Sequence, residues 1–182
     1  MKRLLAAGAL VLAGLAPATA QQASDPQNTV FLDTKDGRVT IRLRPDLAPK
    51  HVEQIKTLTK QGFYNGVVFH RVIEGFMAQT GDPTGTGTGK SNLPNLPAEF
   101  TQTQYKRGSV GMARSQSPDS ANSQFFICYD GCGPLTGQYT LFGEVVSGMD
   151  VVDKIKKGNQ AANGMVSSPD KIVKMQLAAD AK

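Results

Sequence analysis

The chain has 182 residues, with 20 Lys and Arg against 15 Asp and Glu, two histidines, two cysteines and no tryptophan. That length suits one ordinary domain with its own core, and two cysteines exclude a scaffold built on disulfides. The basic residues are scattered, densest at Lys106-Arg107 and Lys156-Lys157, and form no stripe of the kind a nucleic-acid surface needs.

The chain opens MKRLLAAGALVLAGLAPATA: a positive start at Lys2 and Arg3, an apolar run from Leu4 to Leu15, then the small residues Ala18-Thr19-Ala20. This reads as a secretory signal peptide over 1–20, with the mature chain beginning near Gln21. The run is short for a membrane span, which takes about 20 residues, so no membrane attachment is expected after cleavage. No cysteine follows to carry a lipid. The product is expected to be exported, most simply to a periplasm. Residues 21–28 are polar and read as a flexible lead-in.

From 29 onward the hydrophobic period alternates between two and three to four. Val30 and Leu32, then Val39, Ile41 and Leu43, flank Asp36-Gly37 as a β-hairpin. Asp46 and Pro49 stand where a helix would start, Val52, Ile55 and Leu58 give it an apolar face, and Gly62 ends it. On this reading His51 lies on the helix's exposed side. Val67–Ile73 and Phe76–Thr80 are strand-like and separated by Gly75. Residues 82–97, rich in Gly, Thr and Pro, form a long loop. Ser109–Ala113, Gln124–Cys128 and Thr140–Val146 read as strands. Met149, Val152 and Ile155 mark a second short helix ending at Gly158, and Val173, Met175 and Leu177 alternate in a closing strand. About eight strands and two helices without a βαβ rhythm suggest a mostly antiparallel barrel or sandwich over 29–178.

Several motifs fail on inspection. In GTGTGKS (Gly85 to Ser91) the phosphate-loop pattern needs a glycine at position 84, which is Thr84, and the prolines that follow cannot open a helix. No G-x-S-x-G occurs, and the acidic residues are dispersed rather than paired. Cys128 and Cys132, with two histidines in the whole chain, make a poor zinc site. They read as one buried strand cysteine and one loop cysteine, with a bridge between them left open. His70, beside Phe69, reads as a structural, hydrogen-bonded histidine. No metal or cofactor is expected.

What remains is FHRVIEGFMAQTGDP, in which Arg71 stands among apolar residues and nothing looks like a nucleophile paired with a base. Together with SQFFIC and LFGEVVSGMDVVDKI, this stretch resembles the cyclophilin family of peptidyl-prolyl isomerases, in order from about Asn28 to Leu177. The resemblance implies a closed eight-stranded antiparallel β-barrel capped by two α-helices, with a groove on its outside for an X-Pro peptide. Residue by residue, Arg71 matches the family's catalytic arginine, and Gln79 the glutamine that orients it and touches substrate. Phe76, Met77, Phe126 and Leu135 match the walls of the proline pocket. Ala113 and Gln124 match positions along the groove, and His70 an adjacent structural histidine.

The chain departs from the family's eukaryotic members at three places. Tyr139 replaces a histidine, Arg114 an asparagine and Pro134 a tryptophan. Losing that indole puts strong cyclosporin binding in doubt. The expected partners are proline-containing peptides and unfolded or folding proteins, met by a monomer. Taken singly, the aromatic residues would be core and Arg71 a surface ion-pair residue; their joint match reverses both readings. The functional expectation is an exported isomerase. The alternative is a proline-peptide-binding or holdase module using the same groove with little turnover.

Overall fold

The computed structural model describes residues 25–182. The signal-peptide reading of 1–20 and the lead-in residues 21–24 lie outside that range. The rest of the lead-in, residues 25–28, forms a turn. Asp25 accepts hydrogen bonds from Gln27 N (2.9 Å) and from the Asn28 side-chain amide, closing a 3₁₀ turn over Pro26–Asn28.

The hairpin is present as β1 (Thr29–Thr34) and β2 (Gly37–Leu43), and the first helix as α1 (Pro49–Lys60). There follow β3 (Arg71–Ile73), β4 (Met77–Thr80), β5 (Ser109–Met112), β6 (Phe125–Cys128), β7 (Leu141–Ser147), α2 (Met149–Lys154) and β8 (Lys174–Leu177). The strands form one sheet in the order β3-β4-β6-β5-β7-β2-β1-β8, each pairing antiparallel. The sheet curls around a core of residues such as Leu32, Ile41, Val110, Phe125, Ile127 and Phe142, and α1 packs Val52, Ile55 and Leu58 into the same core.

The expected closed barrel needs correction: the sheet curls but its ladder stays open between β3 and β8. Irregular backbone crosses the gap instead. Gly66 N donates to Ile172 O (2.7 Å), Ile172 N to Val67 O (2.9 Å) and Phe69 N to Asp170 O (2.8 Å). Because 170–172 pairs there, the alternation entering β8 slips by one residue. Ile172 is buried, and Val173, expected to face inward, is exposed. The free edge of β3 is covered by residues 158–166 through Gly158 N to Val72 O, Val72 N to Gly164 O and Val166 N to His70 O. A covered edge cannot recruit a foreign strand.

Two further readings change. Asp46 does not cap α1; it pairs with Arg44, and the cap position falls to Ala48, which has no side-chain acceptor. The missing acceptor comes from Glu99, whose carboxylate takes Lys50 N and His51 N at 3.1 Å each and the His51 ring Nδ1 at 2.6 Å. The loop that carries Glu99 lies over His51, so this histidine is fully buried rather than exposed. Burial draws the His51 pKa down, against the pull of Glu99, and the ring stays neutral. Burial also opposes the charge on Glu99, yet the donors from His51 and the helix amides outweigh it and hold that carboxyl below its ordinary value.

The cysteines are bridged, Cys128 to Cys132, with Cα atoms 5.9 Å apart. The bridge that the sequence left open forms because the turn after β6 folds back onto the β3–β4 hairpin. Tyr129 N donates to Phe76 O and Gly131 N to Gly75 O, each at 2.8 Å. Among the described residues no helix is long and apolar enough to cross a membrane.

Replacing Glu99 by alanine should lower the unfolding free energy by about 2 kcal/mol, since it removes a helix cap and strands the His51 ring. Urea unfolding should show a lower midpoint at unchanged slope. An unchanged midpoint would mean that the cap contributes nothing.

Candidate functional site

The site follows from the period of two across neighbouring strands. Val72, Ala78, Ile127 and Val110 stand in register over β3, β4, β6 and β5, and all four face the core. One residue away, Arg71, Gln79, Phe126 and Gly111 form the row on the opposite face. The row therefore lies outside the barrel. Gly111 leaves room in it: a Cβ there would lie 2.3 Å from the Tyr105 hydroxyl and 2.6 Å from Phe126 Cζ. The Tyr105 and Phe126 rings stack over that space with centroids 5.9 Å apart.

Above this row is a groove of about 360 Å³. Its apolar walls are Phe76, Met77, Phe126 and Leu135, with Tyr139 edge-on to Phe126 at 5.9 Å. Arg71 and Gln79 border it on one side and Ala113 on another. A second small core lies beneath, where Met77, Phe126 and Leu141 pack around the Cys128–Cys132 bridge. The bridge is followed directly by a 3₁₀ turn, Gly133–Leu135, which carries the Leu135 wall, and Tyr139 N donates back to Leu135 O. Pro134 sits in that turn. Arg114 lies with its guanidinium carbon 4.4 Å from the centre of the Tyr139 ring and donates twice to Gln138 O, so it braces the tyrosine at the rim.

Gln124, expected along the groove, lies where the groove continues past Gln79, Ala113 and Arg114. It lines an adjoining cavity of about 470 Å³, together with Lys90, Asn122 and the far sides of Gln79 and Ala113. It fixes the amide of Gln79. Gln79 Oε1 accepts from Arg71 Nη1 (3.1 Å), while Gln79 Nε2 donates to Gln124 Oε1 (2.9 Å). Gln124 in turn donates to the carbonyls of Gly87 and Gly89.

Those glycines belong to the loop that resembled a phosphate cradle. The loop has its own anion: Asp82, fully buried, accepts from the backbone of Thr84, Gly87 and Gly89 at 2.6–3.0 Å and from the Thr84 hydroxyl. Burial works against charge on Asp82, but these donors outweigh it and hold the carboxyl at about 2. His70 is buried behind Arg71 against this loop. Neither of its ring nitrogens makes a close hydrogen bond among the described residues, and the Val68 backbone is the hydrogen-bonding group that acts on the ring. Burial lowers its pKa, more than the nearby Asp82 raises it.

Arg71 is held from a second direction that the sequence did not indicate. Its Nε donates to Asn163 O and its Nη2 to Asn163 Oδ1, both at 3.0 Å. The only local signal was the Asn163-Gly164 dipeptide, which marks a turn and nothing more. Burial draws the Arg71 pKa down, with Tyr139 acting the other way; a guanidinium this basic nonetheless stays charged. Among the described residues no three His, Cys, Asp or Glu side chains gather where a metal ion could sit.

Comparison with known proteins gives a consistent picture. The family model for cyclophilin type peptidyl-prolyl cis-trans isomerase/CLD matches residues 29–177. A Brucella suis protein named probable peptidyl-prolyl cis-trans isomerase is 56% identical over 193 aligned positions, covering 100% of this chain and 98% of that one. A Helicobacter pylori peptidyl-prolyl cis-trans isomerase is 41% identical over 140, covering 75% and 85%. Among solved structures, a cyclophilin from Hirschia baltica superposes with a TM-score of 0.76 at 29% identity, covering 87% of this chain and 76% of its own. A Cryptosporidium parvum cyclophilin type isomerase, solved in the presence of the dipeptide Ala-Pro, gives 0.75 at 28%, covering 82% and 98%.

The anchored loop yields a pH prediction. Asp82 titrates near 2 in the fold against 3.8 in an ordinary setting, so its contribution is complete above about pH 4 and is lost as pH falls toward 2. The span corresponds to about 2 kcal/mol. Urea midpoints measured from pH 6 to pH 2 should show this loss in the wild-type protein and lack it in Asp82→Asn. Parallel curves for the two would remove Asp82 from the account of the loop.

Proposed function

Because the chain belongs to the cyclophilin-type peptidyl-prolyl cis-trans isomerase family, we propose that it speeds rotation about X-Pro bonds in exported client proteins by presenting Arg71 to the twisted amide while the apolar groove holds the proline ring. The observation that carries the reading is the fixing of a charged guanidinium at the edge of apolar walls by Gln79 and Asn163.

The chemistry asks for no more than that. Resonance opposes rotation about a peptide C–N bond by about 18–20 kcal/mol. Before proline, cis and trans are close in energy but exchange only over roughly 10–100 s. At the top of the barrier the nitrogen is pyramidal and has regained its lone pair. A fixed N–H donor then gains an acceptor that the planar ground state lacks, which is binding specific to the transition state. Arginine suits the task because it holds its protons at any relevant pH and offers donors in a rigid plane. Phe76, Met77, Phe126 and Leu135 grip the pyrrolidine so that the acyl side turns, and they keep water from weakening the hydrogen bond. Each 1.36 kcal/mol removed from the barrier is about tenfold in rate. No proton is transferred, so no partner base is needed.

Proline-containing segments of unfolded or folding proteins fit this groove, a reading supported by the related cyclophilin solved with Ala-Pro. The charged, apolar and small-residue order of residues 1–20 supports export and a periplasmic setting. Bracing of Tyr139 by Arg114 supports the tyrosine as a working pocket wall in place of a histidine.

Exchange of a short X-Pro peptide, followed by NMR, should be fast with the mature protein and about 10²-fold slower with Arg71→Ala, at unchanged circular dichroism. Peptide binding without accelerated exchange in the wild type would leave a binding or holdase module instead. Full activity in Arg71→Ala would discard the arginine mechanism.

A further inference from the structure

We infer that Asn163 is a positioning residue for Arg71, setting the guanidinium plane through two acceptors offered by one residue; this rests on the reading of Arg71 given above. A guanidinium carries five N–H bonds. Asn163 O takes the one on Nε, Asn163 Oδ1 takes one on Nη2, and Gln79 Oε1 takes one on Nη1. One hydrogen on Nη1 and one on Nη2 stay unclaimed by these partners. Gln79 alone would leave the plane free to swing about a single bond. The paired grip on the Nε–Nη2 edge matches the fork geometry of arginine and removes that freedom.

The backbone explains why asparagine stands there. Residue 163 has φ 53° and ψ 34°, in the left-handed region that asparagine tolerates better than most other side chains. In that conformation its carbonyl and its side-chain oxygen both serve the same guanidinium. Arg71 has only donors to offer, so the oxygen end of the Asn163 amide must face it.

The residue is also fixed relative to the strand that carries Arg71. Asn163 N donates to Gln160 O, Gly164 N to Asn159 O, and Val72 N to Gly164 O, so the residue next to Asn163 is bonded to the residue next to the arginine that Asn163 holds. Two glycines make this approach possible. A Cβ at position 164 would lie 2.4 Å from Ile73 Cγ1, and one at 158 would lie 1.8 Å from Gly164 O. The segment 158–166 is thus more than an edge cover: it carries the second hand on the catalytic side chain.

Asn163→Gly keeps the left-handed backbone and the carbonyl but removes Oδ1, which makes it the variant most apt to fold unchanged. Peptide exchange at saturation should fall about tenfold, while the peptide dissociation constant moves by less than about twofold. Asn163→Asp retains an acceptor oxygen and should recover most of the lost rate. The Arg71 Nη2 hydrogens should be distinct and slow to exchange with water in the wild type and shift toward those of a free arginine side chain in Asn163→Gly, while the Nε–H, whose carbonyl partner remains, keeps its resonance. Adding Asn163→Gly to Arg71→Ala should cost nothing further. An undiminished rate in Asn163→Gly, or an equal further loss in the Arg71→Ala background, would overturn the inference. Full activity of Arg71→Ala by itself would instead remove the reading on which it rests.

Discussion

The two-residue period of the β-strand is the constraint from which the site derives. Four short strands, β3, β4, β6 and β5, carry alternate residues to opposite faces in a common register. One face supplies the barrel core; the other supplies a polar and aromatic row that no core could accept. A shift of one residue in the pairing of β3 would bury Arg71 and expose Val72, at prohibitive cost. Correct packing of the interior therefore sets the exterior row, and the chemistry inherits its geometry from hydrophobic burial.

Around that row the protein adds support in layers. The Cys128–Cys132 bridge and the second small core under the groove steady the turn that brings Leu135 and Tyr139 to the far wall. On the polar side a continuous chain of hydrogen bonds runs from Arg71 through Gln79 and Gln124 to the loop wound on Asp82. A single buried carboxylate thus organises a glycine-rich segment that would otherwise have high conformational freedom, and that segment fixes the amide on which the arginine rests. Preorganisation of this kind is what the proposed stabilisation of a twisted amide would draw on, since donors that must reorient lose most of their advantage.

Much of this was legible in the chain. Alternation in Val39-Ile41-Leu43 marked β2, and the spacing of Val52, Ile55 and Leu58 marked α1, because both patterns record which side faces the core. Long-range partners were hidden. Nothing near Pro49 announces that Glu99 caps the helix, nothing near Arg71 points to Asn163, and the C-x-x-x-C spacing does not reveal that a turn folds the two sulfurs together. The exposure of Val173 was hidden for the same reason, since it depends on 170–172 leaving the β8 ladder to meet 66–69. Local periodicity reports burial; pairing between distant segments leaves no local trace.

The cap that Glu99 lends to α1 ties the fate of two segments about fifty residues apart. A helix with its own N-cap side chain completes its first turn as a local event. Here the first-turn amides of Lys50 and His51 are satisfied only when the loop bearing Glu99 is docked. Opening of that loop exposes these amides together with its own, so the start of the helix belongs to the loop's cooperative unit rather than to the helix that contains it.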